Sequence, residues 1–300
     1  MKQVLFSFLL FFAGLAYSQV PLTKISISPN SQPKGELMLS GLVESIEYVP
    51  LETKENCLIG SISSFDISNS YIIVRCYNTG IIYLFKRDGR FINKIGNVGQ
   101  GPGEYTRYVS SMFIEEDKKQ VIVHVKYPSS RFLKYDLSGK FTGTELMEEK
   151  AGTGLFIRLF NNHFFKMFMD NAPNRPYVYE ILTRDFRLVK EAVKTVPVER
   201  KGGVITVSAP PRPYVYNGKV HVRESSLNDT LYIIDKDFSF TPKYLIDAGR
   251  YKMSVESRSD PEFIRRLHDY VQCNLVFETE NFLLLTYFYG EDGKGKGISH

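Results

Sequence analysis

Apolar and polar residues alternate in short runs along most of the chain, which is the period of strands rather than helices. Four segments share one plan, an apolar strand, a polar turn and a second strand. They are IIYLFKRDGRFINKI (81–95), RFLKYDLSGKFTGTEL (131–146), YVYEILTRDFRLVKE (177–191) and TLYIIDKDFSFTPKYL (230–245). The turn positions Gly89, Gly139, Phe186 and Phe238 align, with separations of 50, 47 and 52 residues. A further strand precedes each hairpin, at 71–76, 121–126, 163–168 and 219–224. A weaker one precedes that, at 59–67, 107–116, 154–160 and around 212–216. A fifth copy shows only the two leading strands, at 270–278 and 281–290. Each unit therefore reads as four strands, A to D, at a spacing typical of propeller blades.

A lone four-stranded sheet cannot bury both faces, whereas blades stacked around an axis cover each other. The near-continuous apolar runs YIIV, FFKMF and FLLLTYF suit strands buried on both sides. Aromatic content is 14%, all Phe and Tyr, which favours strands and fills wedge-shaped gaps between blades. The fold class expected is all-β, a β-propeller of four-stranded antiparallel blades. Beyond residue 40 about 260 residues remain, enough at roughly 50 per blade for about five blades, with the last incomplete at the C-terminus. Residues 44–52 are read as a strand that would complete a final blade on ring closure. One helix is expected, opening at Ser259-Asp260-Pro261-Glu262 and presenting Phe263, Leu267 and Tyr270. It reads as a packing decoration, with a lid over a ligand site as the alternative.

The first 18 residues break the pattern. Lys2, an apolar run from Val4 to Leu15 and the small-x-small sequence Ala16-Tyr17-Ser18 make a secretory signal peptide, since the run is too short to span a membrane. Residues 19–40 read as an extended lead-in and 41–300 as a single propeller domain. No Cys lies near the cleavage site, so export to the periplasm or cell exterior without a lipid anchor is expected. The net charge of +5 carries no Lys/Arg run, and no nucleic-acid partner is expected. Cys57, Cys76 and Cys273 match no zinc or redox spacing. Cys57 and Cys76 are read as buried free thiols, with a disulfide between them as the alternative in an oxidising compartment.

The stretch from Ser45 to Tyr105 resembles the bacterial 6-bladed β-propeller family abundant in Bacteroidetes. The residues that carry the likeness are Ile46 to Thr53, Phe85-Lys86-Arg87-Asp88-Gly89-Arg90-Phe91, Ile95-Gly96 and Gly99-Gln100-Gly101-Pro102-Gly103-Glu104-Tyr105. The resemblance implies an NHL-like, six-bladed type of fold and export. Members are often lipoproteins, and this chain lacks the lipid-attachment Cys.

In such a blade the B-to-C turns and the D-to-A links emerge on one face. That face is expected to collect Arg75, Gln100, Gly101, Gly103, Glu104, Arg107, Lys126, Arg158, Arg212 and Arg223 as candidate ligand-binding residues. The glycine-rich link reads first as a tight inter-blade turn, with an anion-binding nest of backbone N–H groups as the alternative. The surplus of bases suits carboxylate, sulfated or phosphorylated ligands. Tyr77, Tyr105, Tyr108 and Tyr127 add apolar surface or pack between blades. His124, His163, His221, His268 and His300 show no metal-ligand spacing, and the HExxH and GxSxG motifs are absent. His124 and His221, at matching B-strand positions, are expected to pack between blades. No catalytic residue, metal or cofactor is assigned. The expected function is a non-enzymatic platform for a glycan, peptide or protein partner. The alternatives are a metal-assisted lyase or hydrolase acting on extracellular polymers, or a structural envelope subunit.

Overall fold

The computed structural model describes residues 22–29, 38–126, 130–146, 154–158, 162–168, 177–193, 213–223, 229–254 and 261–290. The first blade is the antiparallel sheet β2 (Ile62–Ile67), β3 (Tyr71–Cys76), β4 (Ile82–Lys86) and β5 (Phe91–Ile95), in that order. It follows β1 (Thr23–Ser26), which lies elsewhere. The second blade is β6 (Val109–Glu115), β7 (Gln120–Val125), β8 (Arg131–Asp136) and β9 (Phe141–Leu146). The third is β10 (Gly154–Arg158), β11 (Phe164–Phe168), β12 (Tyr177–Leu182) and β13 (Leu188–Val193). The fourth is β14 (Tyr214–Tyr216), β15 (Lys219–Val222), β16 (Thr230–Ile234) and β17 (Phe240–Asp247). A two-stranded sheet, β18 (Gln272–Glu278) and β19 (Leu283–Phe288), follows a 3₁₀ helix at Pro261–Asp269. The first strand β6 neighbours both β2 and β10, and β14 neighbours β18, which is the radial packing of a propeller.

Two expectations change. The described residues form four four-stranded blades, not about five of a six-bladed set, because the fifth copy contributes only the pair β18–β19. Residues 44–52 form no strand and complete no blade. Pro50 has no N–H to give to a ladder, and its carbonyl lies against Gly89. The segment instead caps the first blade. The Glu52 N–H donates to Gly89 O (2.9 Å), and Glu52 Oε2 accepts the Phe91 N–H (2.8 Å). Val49 and Leu51 cover the apolar face made by Ile72, Val74, Cys76, Tyr83 and Phe85. The strand that does extend a blade is β1, which adds in parallel to the outer edge of β17.

One hairpin turn recurs in all four blades. Gly89, Gly139, Phe186 and Phe238 have φ of 90°, 84°, 61° and 63°. Each donates its N–H to the residue three before it, as in Gly139 to Asp136 O and Phe186 to Thr183 O, both 3.0 Å. This is a tight turn closed by a left-handed residue. Glycine takes that conformation freely, whereas another residue pays roughly 1–2 kcal/mol. The neighbours explain the difference between the copies. A Cβ on Gly89 would sit 2.1 Å from Pro50 O, and one on Gly139 would sit 2.0 Å from Lys94 O of the preceding blade. There is no room for a side chain in either place. In the third blade the position is Phe186, and its ring packs against the preceding blade. It stacks on Phe132 of the second blade (3.8 Å between centroids) and on Phe164 of its own (5.0 Å).

Each joint between blades carries its own apolar layer. Ile73, Leu84, Tyr105, Ile114, Val123 and Tyr135 fill the first joint. Phe113, Phe132 and Phe164 fill the second. Phe165, Tyr179, Val222 and Ile234 fill the third. Leu231, Ile246, Cys273 and Leu285 join the fourth blade to the β18–β19 pair. No helix among the described residues is long and apolar enough to cross a membrane.

The turn geometry sets two outcomes, both read from urea unfolding. Gly139→Ala should cost about 3 kcal/mol or more, combining left-handed strain with overlap on the Lys94 carbonyl. At Phe186 the usual order reverses. Phe186→Gly should destabilise no more than Phe186→Ala, because glycine relieves the strain that alanine retains. A clearly worse glycine variant would mean that the positive φ carries no strain.

Candidate functional site

The glycine-rich link between β5 and β6 folds on itself. The Gly101 N–H donates to Glu104 Oε2 (2.8 Å), and the Glu104 N–H returns to Gly101 O (3.0 Å). Gly99 N–H donates to Tyr105 O and Tyr105 N–H to Asn97 O, both 3.0 Å. The anion that the loop holds is thus its own Glu104 carboxylate, and a Cβ on Gly99 would fall 2.0 Å from it. The remaining glycines make way for rings. Gly96 and Gly103 have positive φ, with Tyr135 and Phe141 closer than 3 Å to where a Cβ would stand.

Tyr105 closes the loop. It is fully buried, donates its hydroxyl to Ile95 O (2.9 Å) and accepts the Ile82 N–H (3.1 Å). Burial raises its pKa to about 12. Its ring meets Tyr135 edge-on at 6.2 Å, and the Tyr135 hydroxyl donates to Gly103 O (2.8 Å). The arrangement is that of an inter-blade joint.

The surface beside this joint is different. Arg75, at the end of β3, donates to Ser63 Oγ (2.9 Å) and to the backbone carbonyl of Arg107. The Arg107 stem packs over Gly80 in the B-to-C turn, and its side chain belongs to an exposed residue. Tyr77 and Tyr108, on the same turn and the same link, are 72% and 74% exposed. Gln100 is exposed nearby in the link. The structure therefore brings Arg75, Arg107, Gln100 and two open tyrosine rings to one edge of the predicted face.

The other candidates disperse. Lys126 is half-buried at the end of β7, and Arg158 ends β10 opposite Phe164. Arg223 is buried in the last joint, where it donates to Cys273 O (3.1 Å). Arg212 lies outside the described residues. Cys57 and Cys76 are both free thiols buried in one cluster. Burial opposes ionisation of Cys76, but hydrogen bonds from Thr79 and from the Gly60 and Asn78 N–H groups outweigh it and lower the thiol to about 6.

His124 and His221 are both buried, and each stacks on a ring of its own blade. His124 stacks on Phe132 at 4.5 Å and meets Ser130 Oγ at 2.8 Å. His221 stacks on Tyr214 at 4.6 Å. It belongs to a cluster that sequence spacing does not reveal. A register shift between Leu231 and Tyr232 leaves Lys243 without a ladder partner, so Lys243 and its neighbour Tyr244 both reach Glu278 of β18. Glu278 Oε1 accepts Lys243 Nζ (2.5 Å) and the Tyr244 hydroxyl (2.7 Å), and Oε2 lies 3.4 Å from His221 Nε2. Burial would raise the Glu278 carboxyl, but these donors hold it below the usual value. The cluster clamps the β18–β19 pair to the fourth blade.

A family model described as "Domain of unknown function (DUF4934)" matches residues 22–298. No curated protein matches the sequence. A solved structure named "Putative exported protein" from Bacteroides fragilis NCTC 9343 is similar at TM-score 0.64 and 15% identity, over 90% of this chain and 75% of that one. A member of the DUF4221 family from Bacteroides vulgatus is similar at TM-score 0.53 and 13% identity, over 80% of this chain and 74% of that one. At these identities the likeness is one of fold.

Two measurements check the joint and the buried histidines. Tyr105→Phe strands the Ile82 N–H and the Ile95 carbonyl, and should lower stability by about 2–4 kcal/mol in urea unfolding. A loss below about 0.5 kcal/mol would mean that the hydroxyl does not bridge them. Burial depresses His124 to about 3 and His221 to about 4. Unfolded, both return toward about 6.5, so between those values the unfolded chain binds more protons and stability falls with acid. His124 alone sets a slope of about 1.4 kcal/mol per pH unit, and His221 adds to it with the same sign. Unfolding at pH 7, 6 and 5 should show the fall, and His124→Gln should remove its share and leave that of His221. An unchanged slope in the variant would mean that the ring is already charged in the fold.

Proposed function

The chain belongs to the DUF4934 family, and on that premise we propose that it is an exported propeller that binds a partner without transforming it. In this reading residues 1–18 direct export and are removed, 19–40 lead in, and 41–300 form the binding domain. The name of the Bacteroides fragilis relative supports export. The likeness of Phe85–Phe91 and GQGPGEY to the six-bladed, NHL-like family points the same way. The mature protein acts in the periplasm or at the cell exterior.

The observation that carries the binding reading is the pair of exposed rings, Tyr77 and Tyr108, flanking Arg107. Tyrosine offers a broad apolar face at low entropic cost, and large exposed aromatics are over-represented where partners dock. Arg107 supplies planar donors for a carboxylate or an amide. Its backbone is pinned by Arg75, so the platform is pre-organised rather than assembled on binding. A rigid ring–cation–ring surface suits a glycan, whose sugar faces stack on tyrosine, or an extended peptide. The loop beside it serves as foundation, since Glu104 and Tyr105 already engage its polar groups.

A glycan and peptide array screened with the mature protein tests this. A hit should weaken about tenfold in Arg107→Ala and again in Tyr77→Ala with Tyr108→Ala, with no change in thermal midpoint. Retention of full affinity in the triple variant would remove this surface as the site.

A further inference from the structure

On the face opposite the glycine-rich link, the second and third blades part around a cleft of about 320 Å³. Its floor includes Ile122, buried on β7. Its walls are Lys118 and Gln120 from the turn into β7, Lys134 of β8 and Glu145 of β9. Arg184, Asp185 and Arg187, from the turn between β12 and β13, form the far side. Ile122 is the one apolar residue among the eight that line it, so the lining is mostly charged, and the volume lies at the small end of the range for small-molecule sites.

The charges in the cleft are unequal. Four cations line it against two carboxylates. Lys134 pairs with Glu145 at 2.7 Å, and Arg187 with Asp185 at 2.6 Å. The second pair is largely solvent-exposed and so holds Arg187 only weakly. Lys118 takes part in neither pair. Arg184 is held differently. Its guanidinium lies 4.7 Å over the Phe164 ring and pairs with the buried Glu115, which also accepts from Gln120. Burial lowers its pKa to about 10, so it stays charged at neutral pH in a partly dehydrated setting. A guanidinium has five donors, and one carboxylate cannot use them all.

We propose that this inter-blade cleft binds a small organic anion, a monosaccharide-sized ligand that carries a carboxylate or a sulfate group. Arg184 is the fixed donor, and Lys118 and Arg187 close on the oxyanion from the two sides. Gln120 and the Lys134–Glu145 pair offer hydrogen bonds to sugar hydroxyls, and Ile122 takes the apolar face. The site is separate from the Tyr77–Arg107–Tyr108 surface, and does not depend on the role given to that surface.

Calorimetric titration with D-glucuronate, D-galactose 6-sulfate and D-glucose tests the proposal on the mature protein. At least one acidic sugar should bind about tenfold more tightly than glucose, and weaken about threefold or more between about 50 mM and about 500 mM NaCl. The exposed double variant Lys118→Ala with Arg187→Ala should lose about fivefold or more in affinity with its thermal midpoint unchanged. The loss caused by Lys118→Ala with Arg187→Ala should be of the same size in a Tyr77→Ala with Tyr108→Ala background, which separates binding in the cleft from binding at that surface. No binding of either acidic sugar, equal binding of glucose, or full affinity in the Lys118/Arg187 variant would overturn the proposal. Which acidic sugar binds separates a carboxylate site from a sulfate site.

Discussion

A four-stranded blade has two apolar faces, and the need to cover both is the constraint from which the rest of this molecule follows. Each joint meets it with a different set of side chains. The first joint is keyed by Tyr105, whose buried hydroxyl ties the Ile95 carbonyl to the Ile82 amide while its ring lies edge-on to Tyr135. The second is filled by stacked phenylalanines, and the last by a carboxylate, Glu278, clamped between Lys243, Tyr244 and His221. The same constraint decides where glycine stands. At Gly139 the neighbouring backbone is in contact, so only hydrogen fits. At Phe186 a ring stacks on Phe132 of the neighbouring blade.

Much of this was legible in the chain. The alternating runs located the strands to within a few residues, because a blade strand buried on both sides must be apolar along its length. The alignment of Gly89, Gly139, Phe186 and Phe238 marked one turn conformation, although nothing local says that a phenylalanine can adopt a positive φ. The blade number was not legible, because it depends on which segments pair. Residues 44–52 look like a strand, yet they spend their polar groups on Gly89 and Phe91 and lie across the first blade instead. The short segment that does extend a blade, β1, pairs in parallel with a strand more than two hundred residues away in sequence.

The candidate site was half legible. The predicted face does gather Arg75, Arg107 and Gln100, since chain direction in an antiparallel blade dictates which turns share an end. The role of the glycine-rich motif depended on side-chain placement. Its backbone donors suggest an anion nest, and the anion is supplied from within by Glu104. The clamp on Glu278 and the cleft beside Arg184 join residues from different blades, so no spacing in the sequence announces them. The clamp owes its geometry to a local irregularity, the bulge at Lys243.

That the glycine-rich link is a closed joint, with Glu104 as its internal anion, is the claim on which the placement of the Tyr77–Arg107–Tyr108 surface depends. Hydrogen exchange resolved to single amides tests it most directly. In the unliganded protein the amides of Gly99, Gly101, Glu104 and Tyr105 should be protected to the level of the adjoining strands. In Glu104→Ala the Gly101 amide should lose that protection first. Free exchange of all four amides in the parent protein, with β4 and β5 still protected, would contradict the account and return the link to the role of an open binding loop.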